Sequence, residues 1–124
     1  MKKQVFLLLS ALFFLASCST WQERPADPQD IARLNEALDR ARSEGAAWTT
    51  SPARIARHLF PPVAHSGSRS YSINERGRSG RKRRVTVVEE GRIGSGLRGL
   101  RHRIRLRSDD DGWHIVSYDF SEKR

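Results

Sequence analysis

The sequence contains a single cysteine, Cys18, and no apolar run long enough to cross a membrane. A lone cysteine excludes a disulfide framework within the chain and the paired-cysteine patterns of structural zinc sites. The longest apolar run covers residues 5–16, which is 12 residues, whereas a membrane-spanning helix needs about 18 or more. The chain is therefore not predicted to be an integral membrane protein.

The recognisable motifs of hydrolases and metalloenzymes are absent as well. The sequence contains neither H-E-x-x-H nor G-x-S-x-G, and its four histidines are scattered. The nearest approach to a catalytic set is His102 and His114, which a hairpin would bring face to face, with Asp119 nearby. Such a set would suit proton transfer. We nevertheless predict no enzyme activity, no metal and no cofactor.

The sequence "GSGLRG" at residues 94–99 matches the G-x-G-x-x-G spacing of dinucleotide-binding loops. That fingerprint requires a helix directly after the glycines, whose N-terminus binds the pyrophosphate. The residues that follow, "LRHRIRLR", alternate with a period of two and are typical of a strand. The glycines are therefore predicted to form a turn between two strands.

The first residues of the chain have the layout of a secretory signal peptide. A basic start at Lys2 and Lys3 precedes the apolar run, which ends in "LASC", residues 15–18. This sequence resembles the lipobox of bacterial lipoproteins. The resemblance implies cleavage before Cys18 and lipidation of its thiol. Because Ser19 rather than Asp follows, it also implies sorting to the outer membrane, facing the periplasm.

The predicted organisation is a signal peptide at 1–17, a lipidated cysteine and tether at 18–27, and one domain at 28–124. Trp21 in the tether is expected either to enter the headgroup region or to pack on the domain. A helix is predicted to start at Asp27-Pro28 and to end at Gly45, with apolar residues at spacings of three and four. A second helix is predicted from Ser51-Pro52 to the proline pair at 61–62.

From residue 67 onward the pattern changes to that of strands. Four segments alternate or are rich in β-branched residues, namely residues 69–77, 83–91, 101–109 and 112–120. The fold class predicted is α+β, with two N-terminal helices packed on an antiparallel sheet of three to four strands. The order of elements and the ending "DGWHIVSYDF" resemble small NTF2-like or cystatin-like proteins, at Gly112, Trp113, Ile115 and Val116. Proteins of that kind include both enzymes and binding modules, so the resemblance implies little about activity.

Positive charge is the most unusual property of the sequence. Residues 69–107 contain thirteen Lys or Arg against three Glu, and the whole chain has a formal charge of +9, or +7 without residues 1–17. Arginine side chains bind phosphate and carboxylate through paired hydrogen bonds. The predicted anion-binding residues are the basic run Arg81, Lys82, Arg83 and Arg84 and the alternating Arg101, Arg103, Arg105 and Arg107 of one strand face. The alternative is a solvated face in an arginine-rich composition, since nineteen arginines accompany only four lysines.

These observations predict a lipid-anchored protein of the bacterial cell envelope with a small, non-catalytic binding or assembly domain. One alternative is an anion-binding module for lipopolysaccharide or peptidoglycan. The other is a small NTF2-like ligand-binding protein or enzyme. The expected partners are the membrane, through the lipid, and envelope proteins or anionic envelope glycans. Nucleic acid is not expected, because a secreted protein meets little of it.

Overall fold

The structure is a computed structural model that describes residues 20–63 and 67–124, so the predicted signal peptide and Cys18 lie outside the described residues. The elements in chain order are β1 (Gln22–Arg24), α1 (Pro28–Ser43), a 3-10 turn (Ala47–Thr50), α2 (Pro52–Leu59), β2 (Gly67–Ser79), β3 (Lys82–Gly94), β4 (Leu97–Asp109) and β5 (Gly112–Lys123). The predicted α+β class, with two helices before an antiparallel sheet, is confirmed.

Both helices begin where the capping residues predict. The Asp27 carboxylate accepts a hydrogen bond from the Gln29 N–H at 2.9 Å, and the Ser51 hydroxyl caps α2 in the same way. In α1 the apolar stripe places Leu38 in the core with no exposed surface. Gly45 follows α1 with a φ of +77°, the left-handed conformation that ends many helices. Within the described part of the chain, no helix is both long enough and apolar enough to cross a membrane.

The sheet has five strands in the order β1-β5-β4-β3-β2, and every neighbouring pair is antiparallel. The predicted number of three to four strands is wrong because β1 was assigned to the tether. Its three residues are all exposed, so no apolar alternation identifies it as a strand. Backbone pairing with residues 120–122 of β5 holds it in place, and the Arg24 side chain donates to the Glu122 carboxylate.

Two tight turns connect strands at the positions that the sequence predicts. Asp110 and Asp111 connect β4 to β5, and the Asp111 N–H donates to the Asp109 carboxylate at 2.8 Å. Ser95 and Gly96 connect β3 to β4 with φ values of +48° and +80°. Positive φ at both central residues is the geometry of a two-residue hairpin turn. The glycine motif at 94–99 is therefore a hairpin turn, as predicted.

Strand alternation separates the sheet into two faces. Val85, Val87, Ile104 and Leu106 point toward the helices and are at most 2% exposed. They pack with Leu38 of α1 and with Ile55 and Phe60 in and after α2. We call this side the covered face and the opposite side, which the helices leave uncovered, the open face.

The first half of β5 has an edge that β1 does not reach. A β-bulge opposite Arg105 and Leu106 adds one residue, Val116, to this strand. The Asn35 side chain of α1 contacts the same region from the edge. Its amide donates to the Ile115 carbonyl, and its oxygen accepts from the Ile115 N–H, both at 2.8 Å. Helix α1 is thus fixed to the edge of β5 by two hydrogen bonds.

Candidate anion-binding face

The open face carries the arginines that alternate along β4. Arg101, Arg103, Arg105 and Arg107 occupy this side because Ile104 and Leu106 between them are buried against the helices. Consecutive arginines of the row are two residues apart, which is about 6.6 Å in an extended strand. Like charges at this spacing repel unless anions lie close by.

The sheet register extends the charge across the strands as well as along β4. Arg84 of β3 is directly paired with Arg105 of β4 on one side and with Arg76 of β2 on the other. Three arginines therefore lie in one transverse row over three strands. Directly opposed like charges destabilise a sheet. In this row no arginine has an acid as its direct cross-strand partner.

A groove follows this row. It encloses about 800 Å³ and also reaches Lys82 and Arg107, which are paired with each other across β3 and β4. Six of its nine lining residues are basic and none is acidic: Arg76, Gly77, Lys82, Arg83, Arg84, Arg105, Leu106, Arg107 and Val116. The half-exposed Val116 side chain provides an apolar patch beside the cations.

Ion pairs within the protein leave most of these cations uncompensated. All fourteen acids of the chain lie in the described ranges, and among these ranges the groove cations form one ion pair, between Arg83 and Glu75 at 3.2 Å. Arg83 lies on the same side of β3 as Val85, so its charge is directed away from the row. Further along β4, Arg103 is opposite Asp119 of β5. Uncompensated charge is thus concentrated at the groove.

The structure brings together only part of the predicted anion-binding set. Lys82, Arg84, Arg105 and Arg107 meet at the groove, whereas Arg101 and Arg103 lie further along the same face. Arg81 is in the β2–β3 turn, where its carbonyl accepts from the Ser108 N–H at 2.8 Å. Arg76 is not among the residues predicted from the sequence. Its strand was recognised, but only the pairing of β2 with β3 places it beside Arg84.

At the other end of the open face, Trp21 packs across β4. Its ring lies over Gly99, where an added Cβ would be only 2.6 Å from the indole. The Arg101 guanidinium lies 4.8 Å from the ring centroid, and the Lys123 ammonium lies 5.7 Å from it. Both distances are within the range of cation–π attraction. Of the two expectations for Trp21, the structure therefore places its ring on the domain.

The covered face contains a partly buried histidine, His102. His102 stacks on Phe60 with ring centroids 4.2 Å apart, and its Nδ1 shares a 2.8 Å hydrogen bond with the Tyr118 hydroxyl. Burial lowers the pKa of His102 to about 4 and raises the pKa of Tyr118 to about 12. Both groups are therefore neutral at pH 7. A small cleft of about 250 Å³ reaches Tyr118 beside Asp30 and Arg33.

The proposed proximity of His102, His114 and Asp119 is wrong. In the observed register His102 is opposite Phe120, and His114 is opposite Arg107. His114 lies at the hairpin end, with its Nε2 3.2 Å from the Asp109 carboxylate. Asp119 is on the open face. Strand alternation alone does not fix the register, and the bulge at Val116 shifts it further.

Across residues 20–63 and 67–124, no three His, Cys, Asp or Glu side chains cluster in a way that would hold a metal ion. The chain matches no protein-family model, no curated protein and no solved structure. The resemblances to the lipobox and to NTF2-like or cystatin-like proteins therefore stay predictions.

Proposed function

We propose that this chain is a lipid-anchored protein of the bacterial cell envelope, attached through Cys18, whose domain binds anionic groups without catalysing a reaction. The binding site is the groove around Arg76, Arg84 and Arg105, with Lys82 and Arg107 beside it. Its ligands are phosphate or carboxylate groups, which are the common anions of the envelope. The outer membrane is the membrane that the residue after Cys18 favours.

The observation that carries this proposal is the transverse row of three arginines. Each arginine is paired directly with another across the strands, and the groove lining contains no acid. Repulsion between these directly opposed arginines lowers the stability of the folded sheet. A bound anion reverses the sign of the interaction, because each guanidinium then donates charge-assisted hydrogen bonds.

Attachment through Cys18 is supported by the sequence alone. The "LASC" register coincides with the end of the apolar run, and the cysteine has no partner for a disulfide. Two or three acyl chains would hold the protein on a membrane, because each buried methylene contributes about 0.8 kcal/mol. The test is Cys18→Ser in the full-length chain. We expect this variant to leave the membrane fraction and to carry no lipid, and continued membrane sedimentation with lipid attached would contradict the anchor.

Anion binding by the groove is tested with inorganic pyrophosphate as the probe. We expect it to raise the melting temperature at an ionic strength of about 0.01 M, where the Debye length is about 30 Å, and to have little effect at about 1 M. Arg84→Gln/Arg105→Gln should remove the increase. The matched control is Arg33→Gln/Arg40→Gln on α1, which changes the net charge equally and should retain it. An equal response in both variants would mean that the groove is only a solvated surface.

A further inference from the structure

The position of Trp21 connects the predicted lipid anchor to the open face. Trp21 is three residues after Cys18 in the sequence, and its ring packs over Gly99 beside Arg101. We infer that the open face lies flat against the membrane that carries the lipid and binds the phosphate groups of its headgroups. This inference rests on the proposed lipidation of Cys18.

Chain length limits where the lipid can be. Three residues span at most about 11 Å when fully extended. A lipid on Cys18 would therefore be attached within about 11 Å of the Trp21 Cα, by chain length alone. Helices pack on a sheet as a second layer, about 10 Å away from the strands. A tether of this length is too short to run from the open face around the domain and past the outer surface of the helices.

Basic side chains are concentrated on the open face of the domain. The register places eight basic side chains on the open face: Arg76, Lys82, Arg84, Arg101, Arg103, Arg105, Arg107 and Lys123. It places four acids there: Glu23, Glu90, Asp109 and Asp119. On the helix side, Asp30, Glu36 and Asp39 of α1 each pair with an arginine of the same helix. The acids of α1 are therefore paired locally, and α2 adds only two arginines, Arg54 and Arg57, to the helix side.

The shape of the open face also suits a planar partner. The row from Arg101 to Arg107 covers seven residues, or six steps of about 3.3 Å, which is about 20 Å of strand. Trp21 lies near one end of this row, and the half-exposed Val116 lies near the other. Indole rings are favoured at the membrane–water interface, and arginines near an anionic leaflet are attracted to it. Lying flat brings both kinds of side chain to the headgroups together.

The experiment uses the purified, lipidated chain inserted into vesicles through its own anchor. Because lipid occupies the Cys18 thiol, an introduced cysteine is the only free thiol. Ser72→Cys places it on the open face, and Ala32→Cys places it on the exposed side of α1, both at exposed positions. The readout is the rate of labelling by a bulky maleimide in phosphatidylglycerol vesicles compared with phosphatidylcholine vesicles.

We expect Ser72→Cys to react at least about fivefold more slowly in the anionic vesicles, with the difference lost at about 1 M salt. Ala32→Cys should react at the same rate in both. Adding Arg84→Gln/Arg105→Gln to Ser72→Cys should restore fast labelling, whereas adding Arg33→Gln/Arg40→Gln should not. These results would support the inference.

Equal rates for Ser72→Cys in both vesicles, or protection of Ala32→Cys instead, would overturn it. Protection of Ser72→Cys by soluble inorganic polyphosphate but not by anionic vesicles would also overturn it, while leaving anion binding intact. Co-flotation of the chain with the vesicles is measured in the same samples. A chain that does not float has no lipid anchor, and that result would contradict the proposed function separately.

Discussion

The two faces of the sheet are built from the same strands, but one face is apolar and buried and the other is exposed and positively charged. On the covered face, Val85, Ile104 and Leu106 are almost fully buried, and the titratable groups there are neutral or hydrogen-bonded. On the open face, their neighbours Arg84, Arg105 and Arg107 oppose other cations. The covered face therefore provides buried apolar contacts, whereas the open face carries opposed positive charges.

The largest expected difference between the two faces is found by truncating two consecutive residues of β4, one on each face. Ile104→Ala removes a side chain that is 1% exposed, and it should lower the free energy of unfolding by about 2–5 kcal/mol through lost burial and a cavity. Arg105→Ala, on the other side of the same strand, should change it by less than about 0.5 kcal/mol. Urea unfolding at pH 7 measures both. A similar loss of unfolding free energy in the two variants would mean that the open face contributes to stability as much as the covered face does.

The pH dependence of stability tests the covered face in a second way. Because burial lowers the pKa of His102 from 6.5 to about 4, the unfolded chain takes up a proton in this range that the folded chain does not. Stability from this group is complete above about pH 6.5 and is lost as the pH falls toward 4, by up to about 3 kcal/mol. His102→Phe should remove this part of the loss when unfolding is compared at pH 7, 5.5 and 4. A wild-type slope in the variant would show that the imidazole is not kept neutral by burial.

The smallest expected effect concerns a turn that belongs to neither face. Gly96 has a φ of +80°, and no atom lies within 4 Å of a Cβ added there. Gly96→Ala should therefore cost about 1–2 kcal/mol through backbone strain alone. Gly80→Ala is the matched control, since its surroundings are equally open and its φ is not in the strained range. Thermal unfolding of both, with and without NAD, is the measurement. Strong stabilisation of the wild type by NAD would revive the dinucleotide interpretation of residues 94–99.

Local rules explain which parts of the fold could be predicted from the sequence. Asp27 and Ser51 act on backbone groups two or three residues away, so the starts of both helices are visible in the sequence. The alternation around Ile104 likewise identifies a two-faced strand. β1 could not be predicted in this way, because its place depends on pairing with a strand almost one hundred residues later.

In the candidate site, too, the residues placed by local alternation could be predicted, and those placed by strand pairing could not. The row on β4 follows from alternation, so Arg105 and Arg107 were found on one face. Arg76 was missed because its partner Arg84 is set by the register of β2 on β3, including the irregularity between Arg76 and Ser79. The burial of His102 was missed for a similar reason, since Phe60 reaches it from outside the sheet.

The two hydrogen bonds from Asn35 to Ile115 affect whether two copies of the protein can pair their sheets through the edge of β5. An uncovered strand edge is a template for pairing with another chain. The proposed lipid anchor would confine copies of the protein to two dimensions and raise their local concentration, which makes such pairing more frequent. The Asn35 amide occupies both backbone groups of Ile115 and so replaces one residue of a neighbouring strand. Crowded copies are thereby kept from joining their sheets edge to edge at this point.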